Sequence, residues 1–145
     1  MNKFRYMGLA DIVHLNTRKE GAEDDKELAV DIKFNAQIDS SICDFFDESL
    51  EGFLFLSDTG AVRNSMLGPL SYSYQLKNYR LKAIDKDFTS VNIKKISLSP
   101  RDGRKIDLTF QVSLHPSCPD VAGFANYLKE SIEIILEPSN RELQL

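Results

Sequence analysis

An antiparallel α+β domain, built on one strongly bent sheet or a two-sheet β-sandwich with two short helices, is the fold class this sequence predicts. Strand-length stretches alternate apolar and polar residues, so each can bury only one face, as antiparallel strands do. Turn residues rather than repeated helical crossovers separate these stretches, and only two segments carry helical spacing. The 145 residues fit one domain, 1–145, long enough to bury a core without a disulfide or a metal.

The clearest strand is ELAVDIKFNAQID, where Leu28, Val30, Ile32, Phe34, Ala36 and Ile38 alternate with Ala29, Asp31, Lys33, Asn35 and Gln37. MGLADIVHLN reads as its antiparallel partner. Folding back about the middle of TRKEGAEDDK sets Leu15 opposite Leu28 and Val13 opposite Val30, with a long charged tip over residues 16–27. In DSSICDFFDESLEGF, Ile42, Phe45, Phe46, Leu50 and Phe53 follow helical spacing. Asp39, Ser40 and Ser41 are N-cap candidates there, and Gly52 is the left-handed stop. FLFL and AVRNSML read as two short strands divided by the turn Ser57-Asp58-Thr59-Gly60.

In SYSYQLKNYRLK, Tyr72, Tyr74 and Leu76 share one phase while Tyr79 and Leu81 hold the other, so the inward face switches at Lys77-Asn78. SVNIKKISLS switches likewise at Lys94-Lys95, from Val91 and Ile93 to Ile96 and Leu98. A hairpin around Lys86 pairs Leu81 with Val91, Tyr79 with Ile93, Leu76 with Ile96 and Tyr74 with Leu98. Both switches then fall at one level, which predicts a ribbon bent through a bulge or passing between sheets. SPRDGRK turns into a return strand carrying Ile106, Leu108, Phe110, Val112 and Leu114. Ser117 and Pro119 open a short helix with Val121, Phe124, Ala125 and Leu128 on one stripe. IEIILEP reads as the last strand, and residues 139–145 as a frayed tail.

Hydrophobic residues at 42% and charged residues at 28% are the proportions of a soluble globular chain. Met1 to Tyr6 lacks the apolar run of a signal peptide, and no eighteen apolar residues follow one another. A cytoplasmic location without membrane contact is therefore expected. Cys43 and Cys118 are too few for a disulfide framework and suit a reducing compartment.

The net charge of −4 argues against a generic nucleic-acid coat, but the charge is segregated. Residues 60–114 hold ten Lys and Arg against four acids, a balance of +6, and the remainder holds eight against 18, or −10. Lys77, Arg80, Lys82, Lys94, Lys95, Arg101, Arg104 and Lys105 are the candidates for a nucleic-acid or other anion site. Single strands are held by cations on phosphates and aromatics on bases, and the tyrosines supply the second element if they face outward. In phase with leucines, Tyr72, Tyr74 and Tyr79 are expected to pack inward instead. Glu23, Asp24 and Asp25 in the tip, with Asp44, Asp47 and Glu48 on the helix, form a candidate acidic surface for a protein partner.

The chain contains no G-x-S-x-G elbow, no phosphate-binding loop and no dinucleotide fingerprint. HPSC gives His115 and Cys118 ligand-like spacing, which Cys43 or His14 could extend, but the second paired cluster of a structural zinc site is missing. No catalytic residue, metal or cofactor is expected. The strings ADIVHLNTRKEGAEDDKELAVDIKF, DFFDE and AVRN resemble those of small phage or prophage accessory proteins. The resemblance implies a role in phage DNA metabolism, or in blocking a host enzyme or defence system, exercised by binding in the host cytoplasm.

The leading expectation is a non-enzymatic binding module that docks on a macromolecular partner, a protein first, with self-association open through its opposed charges. The alternative is a single-stranded nucleic-acid-binding accessory protein using the ribbon of residues 72–105. A metal-dependent or hydrolytic enzyme using His14 or His115 comes third.

Overall fold

Alternation decides the strands, and seven form among the described residues of the computed structural model, which are 3–22 and 25–139, Asp25 through its backbone alone. They are β1 (Tyr6–Ala22), β2 (Asp25–Asp39), β3 (Leu70–Tyr72), β4 (Leu76–Ala83), β5 (Lys86–Arg101), β6 (Lys105–Leu114) and β7 (Ser131–Pro138). All neighbours are antiparallel, in the order β3-β5-β4-β7-β1-β2-β6, and β5 also pairs with β6. That last pairing closes a six-stranded ring, β1-β2-β6-β5-β4-β7, with β3 lying along the far half of β5. The expected antiparallel α+β class holds, and the expected bend is carried through to closure, which leaves no open edge around the ring.

Inward phases fill the barrel. Phe34 and Phe110 lie 5.6 Å apart, and Phe4 and Phe110 lie 6.0 Å apart. Ile32, Leu81, Val91, Ile93, Leu108, Val112 and Leu136 are buried around them. Each such side chain contributes on the order of 1.5–3 kcal/mol by leaving water.

Short helices close the two ends. A 3₁₀ turn over Ser40–Ile42 leads into α1 (Cys43–Phe46) and α2 (Leu50–Leu54), and Phe45 and Phe46 pack edge-on against Phe4. At the other end α3 (Cys118–Ala125) inserts Phe124 against Phe88, 5.4 Å between rings. As expected, Ser117 caps this helix, in a reciprocal box with Asp120. No helix among the described residues is long and apolar enough to cross a membrane.

Several expected details are corrected. The single helix over 39–53 breaks at Asp47, whose carboxylate accepts from the Ser49 amide and hydroxyl, both at 2.9 Å, a local turn that competes with the helix. Gly52 lies inside α2 rather than ending it. FLFL and AVRNSML are not strands: Phe55 and Val62 form one isolated bridge around the expected turn. That segment is held instead by the β5–β6 hairpin, where Gly103 and Arg104 amides donate to the Gly60 carbonyl at 3.0 and 3.1 Å. The Arg104 side chain packs over Gly60, whose φ of +75° needs a glycine.

In the first hairpin Leu15 faces Ile32, not Leu28, because both strands run on to Ala22 and Asp25. The two registers differ by an even number of residues, so both keep Leu15 on the apolar face. In the second, Ile84 and Asp85 form a two-residue turn with φ of +48° and +61°, so Leu81 faces Phe88; a slip at Ser90, with φ of +56°, sets Tyr79 opposite Val91, and the slip at Asn78 returns Leu76 to face Ile93. Leu98 pairs with Leu70 of β3 in place of Tyr74. Ser139 is not frayed, since its amide donates to the Asn78 carbonyl at 3.0 Å, and residues 140–145 lie outside the described residues.

Candidate nucleic-acid interface

The two phase switches are bulges. Asn78 takes φ +64° where the β4–β5 register slips, and Lys95 takes φ +55° where the β5–β6 register slips between Lys94 and Ser97. They do not face each other as expected. The Asn78 slip lies against Val91–Ile93, and the Lys95 slip lies further along β5, level with the gap between β3 and β4.

That offset makes a cleft. β5 leaves β4 at Ile93 and meets β3 at Ile96, so the intervening lysines lie beside the connection Ser73–Gln75. The cleft holds about 400 Å³ and is lined by Ser71, Tyr72, Ser73, Tyr74, Gln75, Lys94, Lys95, Ile96 and Ser97. The three tyrosines of SYSYQLKNYRLK have three environments. Tyr79 is core, 5% exposed, and burial pushes its hydroxyl pKa up to about 12. Tyr72 rests on Phe46 and Phe45 at 5.1 and 5.7 Å. Tyr74, 69% exposed, stands 5.4 Å from Tyr72, which corrects the expectation that all three pack inward.

The eight candidate cations divide in the same way. Arg80 binds Asp87 at 2.8 Å and Glu137 at 3.6 Å, and Arg101 binds Asp107 at 2.7 Å. Arg104 donates to the carbonyls of Ser57 and Leu56 and clamps the 57–60 turn. Lys105 faces Asp39 across the β2–β6 ladder, and Lys82 lies on a different wall. Lys77, Lys94 and Lys95 form no ion pair among the described residues. Lys94 and Lys95 line the cleft, and Lys77 follows Leu76, the partner of Ile93.

The acidic candidates do not form one surface. Glu23 and Asp24 lie outside the described residues, and Asp25 begins β2 while Asp44, Asp47 and Glu48 follow its other end. Fourteen strand steps, roughly 46 Å, separate those ends. Cys43 and Cys118 likewise flank opposite ends of β6, roughly 30 Å apart. Burial, with Glu51 and Asp44 adding to it, pushes the Cys43 thiol up to about 11. Nε2 of His115 lies 2.8 Å from Glu20, and among the described residues no three potential ligands converge on a metal site.

Two features were not anticipated. On the outer wall Asp31 accepts from Arg18 at 3.0 and 3.1 Å and from Ser113 at 2.5 Å, and Arg18 also contacts Glu20. On the wall made by β1, β7 and β4, Met7 and Leu9 stand exposed over a groove. The polar phase of β2 marks Asp31 as outward, but only the register gives it Arg18. Comparison of the chain with family models, with curated proteins and with solved structures finds no match.

Proposed function

We propose that the protein is a non-enzymatic binding module and that the macromolecule it holds at the Tyr74 cleft is single-stranded nucleic acid. The observation that carries this reading is an exposed tyrosine beside two lysines that form no ion pair among the described residues, presented together by a strand bulge. Tyr74 supplies a face for a base, Lys94 and Lys95 neutralise phosphates, and Ser71, Ser73 and Gln75 supply hydrogen-bonding groups without fixing a sequence. The barrel interior is filled by side chains, so the ligand belongs on the outside. The resemblance to phage accessory proteins points the same way, since such proteins commonly act by binding.

The test is anisotropy of labelled single- and double-stranded oligonucleotides over a range of salt. Changing Lys77, Lys94 and Lys95 together to Ala flattens the salt dependence by about two logarithmic units for a single strand. Tyr74→Ala weakens single-strand binding by roughly tenfold, within the 1–3 kcal/mol of one stacked base. No salt-sensitive binding even at low ionic strength overturns the reading and returns the search to protein partners. The exposed Asp44 and Glu48, neither in an ion pair among the described residues, then become the first surface to vary.

A further inference from the structure

The two walls of the barrel do not resemble each other. Across β2, β6 and β5 the outward positions are Lys33, Asn35, Gln37, Gln111, Thr109, Asp107, Lys94, Ser97 and Ser99, the polar set that a solvated sheet face presents. Across β1 and β7 the outward ladder positions include Met7 opposite Ile135 and Leu9 opposite Glu133. Met7 is 76% exposed and Leu9 60%, and Tyr127, from the segment after α3, adds a ring that is 42% exposed. Together they line a groove of about 990 Å³ that the tip of the β4–β5 hairpin bounds on one side. Single exposed apolar residues need no explanation, but a contiguous strip on one wall of a barrel whose other wall is polar marks a contact surface.

The charges around this strip select its occupant. Arg80 and Lys86 are already bound to Asp87 and Asp120, at 2.8 and 2.7 Å. Lys82, across the ladder from Asp87, lines the groove with Asp85 and Glu133, and none of the three forms an ion pair among the described residues, so the rim carries both signs. A rim with both signs does not suit a polyanion, and it is self-complementary under a two-fold axis, which brings one copy's cations to the other's acids.

We infer that the β1–β7–β4 wall is the surface on which a second copy of this chain docks, giving a two-fold dimer. The Tyr74 cleft opens near the Leu76 end of β4 and the groove near the Lys82 end, about 20 Å along the strand, so both clefts stay open in the dimer. The inference stands without the nucleic-acid reading, because mass is measured with no oligonucleotide present.

Light scattering after size exclusion, from low micromolar to the highest soluble concentration, tests it. The wild-type protein is expected at twice the chain mass, and Leu9→Glu at the chain mass with an unchanged circular dichroism spectrum. Tyr127→Asp, at a position outside every strand, is likewise expected at the chain mass and stands in if Leu9→Glu disturbs folding. A wild-type monomer at every concentration overturns the inference, as does a dimer that both substitutions leave intact.

Discussion

Asp31 illustrates how much one outward residue depends on its neighbours. Burial alone raises its pKa, but hydrogen bonds from Arg18 and Ser113, with the charges of Arg18 and Lys94, outweigh burial and hold the carboxyl below the usual range. A carboxyl lowered in the folded state contributes stability that is complete above its unfolded value near 4 and disappears as pH falls through the folded value. Asp31→Asn is therefore expected to cost about 1.5–3 kcal/mol at pH 7, the range for hydrogen bonds to charged groups, and progressively less below pH 4. Urea unfolding of both proteins at pH 7 and pH 3 checks this, and an equal loss at both pH values contradicts it. The alternation of β2 places Asp31 outside from sequence alone. Its partners were not legible, because Ser113 is 82 residues away and Arg18 meets it only in the register the fold selects.

Among the elements, the bulge at Lys95 joins conformation to binding. A lysine at φ +55° occupies the left-handed region at a cost that glycine avoids, and such strain is kept where it aims side chains. Lys95→Gly is expected to raise stability by up to about 1 kcal/mol in denaturant unfolding while weakening oligonucleotide binding at low salt. Unchanged binding in a stabilised variant removes Lys95 from the site. Both phase switches were visible in the sequence, since a strand whose apolar residues change parity must contain an extra residue. Their relative level was not, because it follows from the two-residue turn at Ile84-Asp85. An isoleucine with positive φ is one of the weakest turn signals there is, although here its side chain packs against Gly123 of α3.

For the whole molecule, closure is the property with the largest consequence. β7, the last strand, joins β1 on one side to β4 on the other, so the ring forms only when nearly the full chain is present. Ending the chain at Glu130 removes Ile132, Ile134 and Leu136 from the core and leaves two strand edges unpaired. The shortened chain is expected not to fold, by circular dichroism and amide dispersion, whereas the full chain unfolds in one transition. Charge also changes meaning at this scale. The +6 of residues 60–114 already counts Asp87 at Arg80 and Asp107 at Arg101; from outside the segment Glu137 reaches Arg80 and Asp120 pairs Lys86, while Lys77, Lys94 and Lys95 near the cleft form no ion pair among the described residues.

By itself the sequence determined the long strands β1, β2, β5, β6 and β7, the apolar face of each, the places where two strands bulge and the cap of α3. These are local properties, set by side-chain parity, by backbone preference and by hydrogen bonds within a few residues. Only the tertiary structure decided that the sheet closes, that Tyr74 emerges while Tyr79 is buried, and that Met7 and Leu9 stand exposed together on one wall. Each depends on register and strand order, and contacts between residues tens of positions apart fix those while every local pattern stays the same.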